Sequence, residues 1–450
     1  MKLHVVATFI CMGAAFSSAA WADHGQSVSS DVAVTAPVLG LAEAMQAARA
    51  HQPTLNLARG NQTSAAGQVE QARSALLPQL SGVASFARGT NNYVPSPGGA
   101  NPNGSLTPSS SFTTYSKWGA QLSANQLIWD FGESLNKWKA ARVGADAVAE
   151  NVHVTEAQID YNTRVAFFTA RAAKDMVAVA RETLANQERH LRQVKGFVDA
   201  GTHPEIDLSQ ARADRASAEL QFINSEGTFA VARATLVQAM GIERSIDYDL
   251  SDEDFPPVEN EDGKVESLVD EAKSNRPEMV NLRLTMQSQE LNLRATRDMI
   301  WPNLNVSGSL SDSGPALDRT VWNFSGLISL SVPIIQGGAI NAQIRQAEGQ
   351  LVQAKAQADT QGLQVRLDVE QARLGIRGAK AAIASAEDAF VNSRDRLRLA
   401  EGRYQAGAGN IIELGDAQLA LTTAAAQKVQ AQYQLYTARA QLLKALGRRD

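Results

Sequence analysis

The sequence predicts a mostly α-helical chain of long antiparallel coiled-coil helices joined to a small membrane β-barrel that one copy cannot close alone. Three observations carry this. From Gly132 to Gly201, and again from Gly338 to Gly407, run 69 positions without a proline, rich in Ala, Gln, Arg, Glu and Leu. Four shorter segments alternate apolar and polar residues with the period of a strand. Blocks of sequence recur at fixed spacings, so the chain is written twice.

In chain order, residues 1–22 read as a secretory signal: Lys2, an apolar run from Val5 to about Phe16, and small residues ending in Ala20-Trp21-Ala22 before Asp23. The run is short for a membrane anchor. The single cysteine, Cys11, falls inside this signal, so the mature chain is expected to hold no disulfide and no thiolate metal site. Thr8-Phe9-Ile10 before it do not form a lipoprotein cleavage box, and no lipid anchor is expected. With 44% hydrophobic but only 6% aromatic residues among 450, the chain suits helices packed side by side better than one thick core.

The first repeat is placed at 23–241 and the second at 265–450, with an acidic segment at 242–264 between them. Pro53 and Pro78 precede Pro277 and Pro302 by 224 positions, whereas Gly132, Gly201 and Gly241 precede Gly338, Gly407 and Gly447 by 206. The difference of 18 places extra residues of the first copy in the tract NNYVPSPGGANPNGSLTPSSS at 91–111, a surface loop by composition. Each copy reads as helix, strand, turn, strand, very long helix, tight turn and returning helix. The tight turns fall at about 200–206 and 406–412. Gly349, Gly362 and Gly375 weaken the second long helix by about 1 kcal/mol each relative to alanine.

Between Glu243 and Glu271 twelve acids meet two bases, Arg244 and Lys264, a local net charge of -10. The whole chain carries only -5, so the acidity is local and no nucleic-acid surface is indicated. The tract around Phe255-Pro256-Pro257 reads as a solvated linker and lacks the spacing of an EF-hand calcium loop.

The strands are expected at about 79–88, 115–129, 303–312 and 321–334. In the last, Trp322, Phe324, Ile328 and Leu330 alternate with Asn323, Ser325, Ser329 and Ser331, and no residue is charged. A soluble sheet packed on helices would carry charges on its exposed face, and no later run of about 18 apolar residues forms a spanning helix. Lipid is therefore the expected partner of the apolar face, formed by Trp118, Leu122, Leu304, Val306, Trp322, Phe324, Ile328 and Leu330. Trp118 and Trp322 sit near strand starts, where an aromatic girdle lies. Four strands cannot close a barrel, whose smallest common form has about eight. Two copies give eight strands with a filled interior; three give twelve with room for a channel.

LLPQLS at 76–81, IWPNLN at 300–305, WDFG at 129–132, QGG at 336–338, and the paired turns AGTHPEIDLSQA and AGAGNIIELGDAQ, in this order and spacing, resemble the TolC family of outer-membrane export ducts. The resemblance covers nearly all of the mature chain. It implies a homotrimer with one twelve-stranded outer-membrane barrel, continued into the periplasm of a Gram-negative-type cell by a twelve-helix α-barrel with an equatorial belt. It implies a passive exit duct of a tripartite efflux pump or type I secretion system, fed by an inner-membrane pump through a periplasmic adaptor. The adaptor-docking tip carries over to Gly201, Thr202, His203, Gly407, Ala408 and Gly409. Thr-His and Ala-Gly here replace the aliphatic and Ser/Thr pair common in family tips. The pore constriction carries over to Glu413 and Asp416, which are three residues apart on one helix face and would form a cation-favouring ring in a trimer. Their plainer role is as first-turn acids favoured by the helix dipole, which is all that is expected of Asp207, the first-copy counterpart of Glu413.

No catalytic residue, metal ligand or cofactor is expected. The six histidines have no metal-ligand spacing, and His153 and His190 read as ordinary helix-surface residues. GAGN at 407–410 lacks the remainder of a dinucleotide fingerprint. The alternative function is a soluble periplasmic coiled-coil adaptor or scaffold. A hydrolase on a helical scaffold would need a catalytic cluster that the sequence lacks.

Overall fold

The computed structural model describes residues 38–90, 112, 114–243 and 248–448. The expected signal at 1–22 and the tract at 91–111 lie outside the described residues. A short strand β1 (Val38–Leu39) leads to helices α1 (Leu41–His51) and α2 (Pro53–Ser74), strands β2 (Gln79–Thr90) and β3 (Thr114–Trp129), and helices α3 (Glu133–Asp199) and α4 (Glu205–Ala239). The same order follows in β4 (Asp249–Leu250), α5 (Val265–Asn275), α6 (Pro277–Asp298), β5 (Asn303–Gly314), β6 (Val321–Ser331), α7 (Ala339–Gln405) and α8 (Ile411–Leu446). α1, α2 and β2 begin 224 positions before α5, α6 and β5, while α3 and α4 begin 206 before α7 and α8. β6 stops at Ser331, short of the expected 334, because Pro333 has no N–H to give the ladder.

α3 and α7 have 67 residues each, a rod of about 100 Å. Both end at a left-handed glycine, Gly201 (φ 74°) and Gly407 (φ 71°). Thr202 N–H reaches back to the Phe197 carbonyl at 2.9 Å and Gly201 N–H to Val198, with the same pair at Ala408 and Gly407. These bonds satisfy carbonyls that the last helical turn leaves orphaned. α7 runs unbroken through Gly349, Gly362 and Gly375 because Val365, Val369, Ala372, Ile376 and Ala379 form a buried stripe at alternating spacings of four and three. Burying Val365, Val369 and Ile376 contributes roughly 1.5–3 kcal/mol each, more than the three glycines cost.

The helices form a wall. Towards the sheet, α3 lies between α2 and α6, and α6 also meets α7; towards the far end, α3 lies between α4 and α8, and α8 meets α7. The four-stranded antiparallel sheet has the matching order β2-β3-β5-β6. One edge of the chain is therefore β2, α2 and α4, and the other is β6 and α7.

The largest core lies halfway along α3, where Phe168 packs its ring 5.3 Å from Phe255 and 5.0 Å from Tyr436. Part of the acidic tract belongs to this core: Phe255, Val258 and Glu261 are buried, whereas Asp252, Glu253, Asp254, Pro256, Pro257, Glu259 and Asp262 stay exposed, so the reading as a solvated linker holds for the latter and fails at the three anchors. Bases distant in sequence hold the tract there. Arg439 forks onto Glu261 at 3.1 and 3.2 Å and donates to the Phe255 carbonyl at 2.7 Å, while Lys380 reaches Glu261 and Asp262 at 2.8 Å. Arg448 grips Glu271 at 2.6 and 3.0 Å. Burial pushes the Glu261 carboxyl upward, but the hydrogen bonds from Arg439, Lys380 and Val258 N–H outweigh it and hold it below the usual range. Replacing Arg439 with Ala leaves that carboxylate buried without its fork, so R439A is expected to cost about 3–5 kcal/mol in denaturant unfolding. A change under about 1 kcal/mol would show that the fork is dispensable.

Candidate functional site

Two regions stand out, the sheet and the far tip of the long helices. Directly opposed residues of an antiparallel ladder share a face. Phe86 opposes Trp118; Leu122 opposes Leu310, which opposes Phe324; Val306 opposes Ile328 and Leu304 opposes Leu330. Trp322 joins the same face through Asp312 and Ala120. The structure thus brings all eight expected apolar strand residues to one side, where Trp322, Phe324 and Ile328 are 71–72% exposed. The opposite face is polar, with Ser81 bonded to Ser123 and Ser309 to Ser325, each at 2.8 Å.

A bulge between Leu127 and Trp129 shifts the ladder by one, so Trp129 opposes Leu304. Trp129 then meets Phe131 at 6.1 Å, and Phe131 stacks on Trp301 at 5.5 Å. Phe131 has φ 55°, a left-handed backbone that costs a bulky residue roughly 1–3 kcal/mol and is held by this stacking. These three rings form a second aromatic row, missed in the sequence because only the bulge and the fold unite them. From Trp118 to Trp129 the strand climbs about 36 Å, or about 26 Å of height at a 45° tilt.

At the tip, His203 stacks on Phe197 at 4.9 Å and lies 5.3 Å from Tyr404, while Thr202 donates its hydroxyl to the Phe197 carbonyl at 2.9 Å. The second turn is tighter: Ala408 and Gly409 N–H both reach the Arg403 carbonyl. Asn410 caps α8 by accepting the Glu413 N–H at 2.8 Å. The Glu413 carboxylate leans to Arg403 of α7 at 3.5 Å, whereas Asp416 lines a groove of about 520 Å³ opposite Asp214 and Ser217 of α4. The two acids therefore sit on neighbouring flanks of α8. The groove floor is a polar rung pair, Thr183 to Thr422 at 3.1 Å and Gln187 to Gln418 at 2.8 Å.

A family model described as "Outer membrane efflux protein" matches residues 44–242 and 268–448. The chain belongs to the outer membrane efflux protein family. This efflux-family chain is 24% identical to outer membrane protein TolC of Escherichia coli (strain K12) over 424 residues, covering 90% of the chain and 82% of TolC. It is 24% identical to outer membrane efflux protein BepC of Brucella suis biovar 1 (strain 1330), covering 64% of the chain and 59% of BepC, less than two thirds of that relative. Its fold is similar to the Campylobacter jejuni CmeC outer membrane channel, with a TM-score of 0.77 at 18% identity over 90% of this chain and 85% of that one. The resemblance read from the paired blocks is borne out.

One efflux-family tip residue was misplaced by the sequence reading. His190 is not on a helix surface but buried, its ring 5.5 Å from Tyr404. His153 is partly exposed, 3.2 Å from Glu156. The missed signal was the aromatic spacing Phe197, His203 and Tyr404, legible only once the two hairpins pack. The Tyr404 hydroxyl is buried with no hydrogen-bond partner among the described residues. Burial pushes the His190 imidazole below its usual value, against the pull of Asp214 and Asp207 on α4. A depressed folded value means that the unfolded chain takes up the proton first. Stability is therefore complete above about pH 6.5 and is lost as pH falls from there through the lower folded value. Stability of the wild type to heat or urea is expected to fall over that window, and that of His190→Phe to fall less; equal slopes would remove His190 as the cause.

Proposed function

We propose that the chain is the outer-membrane channel of a tripartite efflux pump or type I secretion system, a passive exit duct. Its membership of the outer membrane efflux protein family supports the duct over the soluble adaptor reading. The carrying observation is the open sheet: one face carrying the apolar strand residues and broken by Asp312 near its Trp118–Trp322 end, an opposite face rich in Ser and Asn, and two edges that are unpaired among the described residues and aligned with the two edges of the helical wall. Three copies joined edge to edge would pair every strand, turn the apolar face to lipid, and enclose a polar lumen. The two fixed offsets and equal helix lengths support a duplicated plan, in which each copy supplies two similar staves. Exposed Leu363, Leu367 and Leu374 on one edge, and Leu220, Ile223 and Val231 on the other, support burial between copies.

In this reading an adaptor meets the turns Gly201-Thr202-His203 and Gly407-Ala408-Gly409, and an inner-membrane pump supplies substrate and energy. Glu413 and Asp416 narrow the tip as a ring of acids. A washed membrane fraction tests the placement: the protein should resist alkaline extraction and sediment as a trimer in detergent, whereas a washable monomer would overturn the duct. Because Arg403 already partners Glu413, Asp416 carries more of the unscreened charge. In planar-bilayer recordings D416A is expected to lower cation preference about twofold at low salt, more than E413A. Unchanged selectivity in the double variant would remove both from the constriction.

A further inference from the structure

The seam between α3 and α6 is the joint by which the two halves of one chain meet near the sheet. Asn136 donates to Asp298 at 2.7 Å, Ser288 to the Ala140 carbonyl at 2.8 Å, and Asn281 to the Ala147 carbonyl at 2.5 Å. The helices approach closely because α3 offers Ala140, Gly144 and Ala147 there; a Cβ added at Gly144 would stand 3.4 Å from Ser288 Oγ.

The offset of 206 carries α3 onto α7, and 224 carries α2 onto α6. Ala140, Gly144, Ala147 and Asn151 then correspond to Gln346, Gln350, Gln353 and Gln357. Asn281 and Ser288 correspond to Leu57 and Ser64. In one chain α7 and α2 stand at opposite edges of the wall, with α3 and α6 between them. All six of these edge residues are exposed. The glutamines step at four, three and four positions, one uncharged stripe down α7.

We infer that this stripe is a glutamine seam between two copies of the chain, with α7 of one copy lying antiparallel on α2 of the next as α3 lies on α6. The inference rests on the edge-to-edge trimer proposed above. Ser64 is placed to donate to the Gln346 carbonyl, and Leu57 to cover the stems of Gln353 and Gln357. The chemistry differs between the two seams for a physical reason. The seam inside one chain closes as the chain folds, so small residues suffice. Near the sheet the seam between copies faces water in every unassembled chain, where charges would resist later burial. Neutral amides bond to water first and to each other afterwards.

Cys11 is the chain's single cysteine, and every test variant also carries Cys11→Ser, so introduced pairs report without background. The full chain carrying Ser64→Cys and Gln350→Cys, oxidised in detergent, is expected to run as reducible covalent dimer and trimer in more than about half of its molecules. Each single variant stays monomeric on the denaturing gel. So does Ser64→Cys with Leu363→Cys, which lies about 20 Å further along α7. Ser64→Cys with Gln346→Cys decides by the same readout where the first pair fails to assemble. A chain that sediments as a trimer while neither pair cross-links overturns the seam and leaves the trimer standing. Native chain that sediments as a monomer overturns both.

Discussion

A strand edge cannot be left open in hydrocarbon, because each unpaired N–H or C=O there costs several kcal/mol. The sheet β2-β3-β5-β6 has two such edges and one apolar face, so it is an incomplete object by itself. Extending the sheet within the chain is not available, since each strand pair is already followed by a helix about 100 Å long. In the proposed duct, closure through other copies is the remaining solution, and it would dictate the helices too. Strand order and helix order match, so any rule that pairs β6 with a neighbouring β2 also sets α7 beside the neighbouring α2 and α4.

Rigidity along so long a rod needs support part-way. The buried heptad stripe of α7 outweighs its glycines, but stacked rods still slide past one another unless tied across. The mid-height core supplies the tie. There Glu261 of the acidic tract is drawn from solvent by Arg439 and Lys380 on helices of the second half, Arg448 beyond α8 ties down Glu271, and Phe255 is set against Phe168 of the first half. Opposite charges on separate segments give this tie a register, because Glu261 and Glu271 each face an arginine fork of matching geometry.

Helix and strand identity were legible because they depend on local spacing: proline-free stretches, period-two alternation in 321–331, and glycines that permit a left-handed turn. The apolar face was legible for the same reason, and the register places all eight named residues together. The turns expected at about 200–206 and 406–412 contain the left-handed glycines Gly201 and Gly407. The environment of His190 was not legible, since the Tyr404 ring that buries it lies on another helix more than two hundred positions away. The second aromatic row was hidden for a related reason: Trp129 and Phe131 meet Trp301 only after two junctions converge.

By itself the sequence determined which segments are long helices and which are strands, and that similar elements recur at offsets of 224 and 206. Tertiary structure alone decided that the acidic tract is a tie with buried anchors, that a bulge turns Trp129 towards Leu304, and that Glu413 and Asp416 take different neighbours. The division has one cause. Backbone periodicity is set by residues a few positions apart, whereas burial and charge pairing, such as Arg439 on Glu261, 178 positions away, exist only after the chain has folded back on itself.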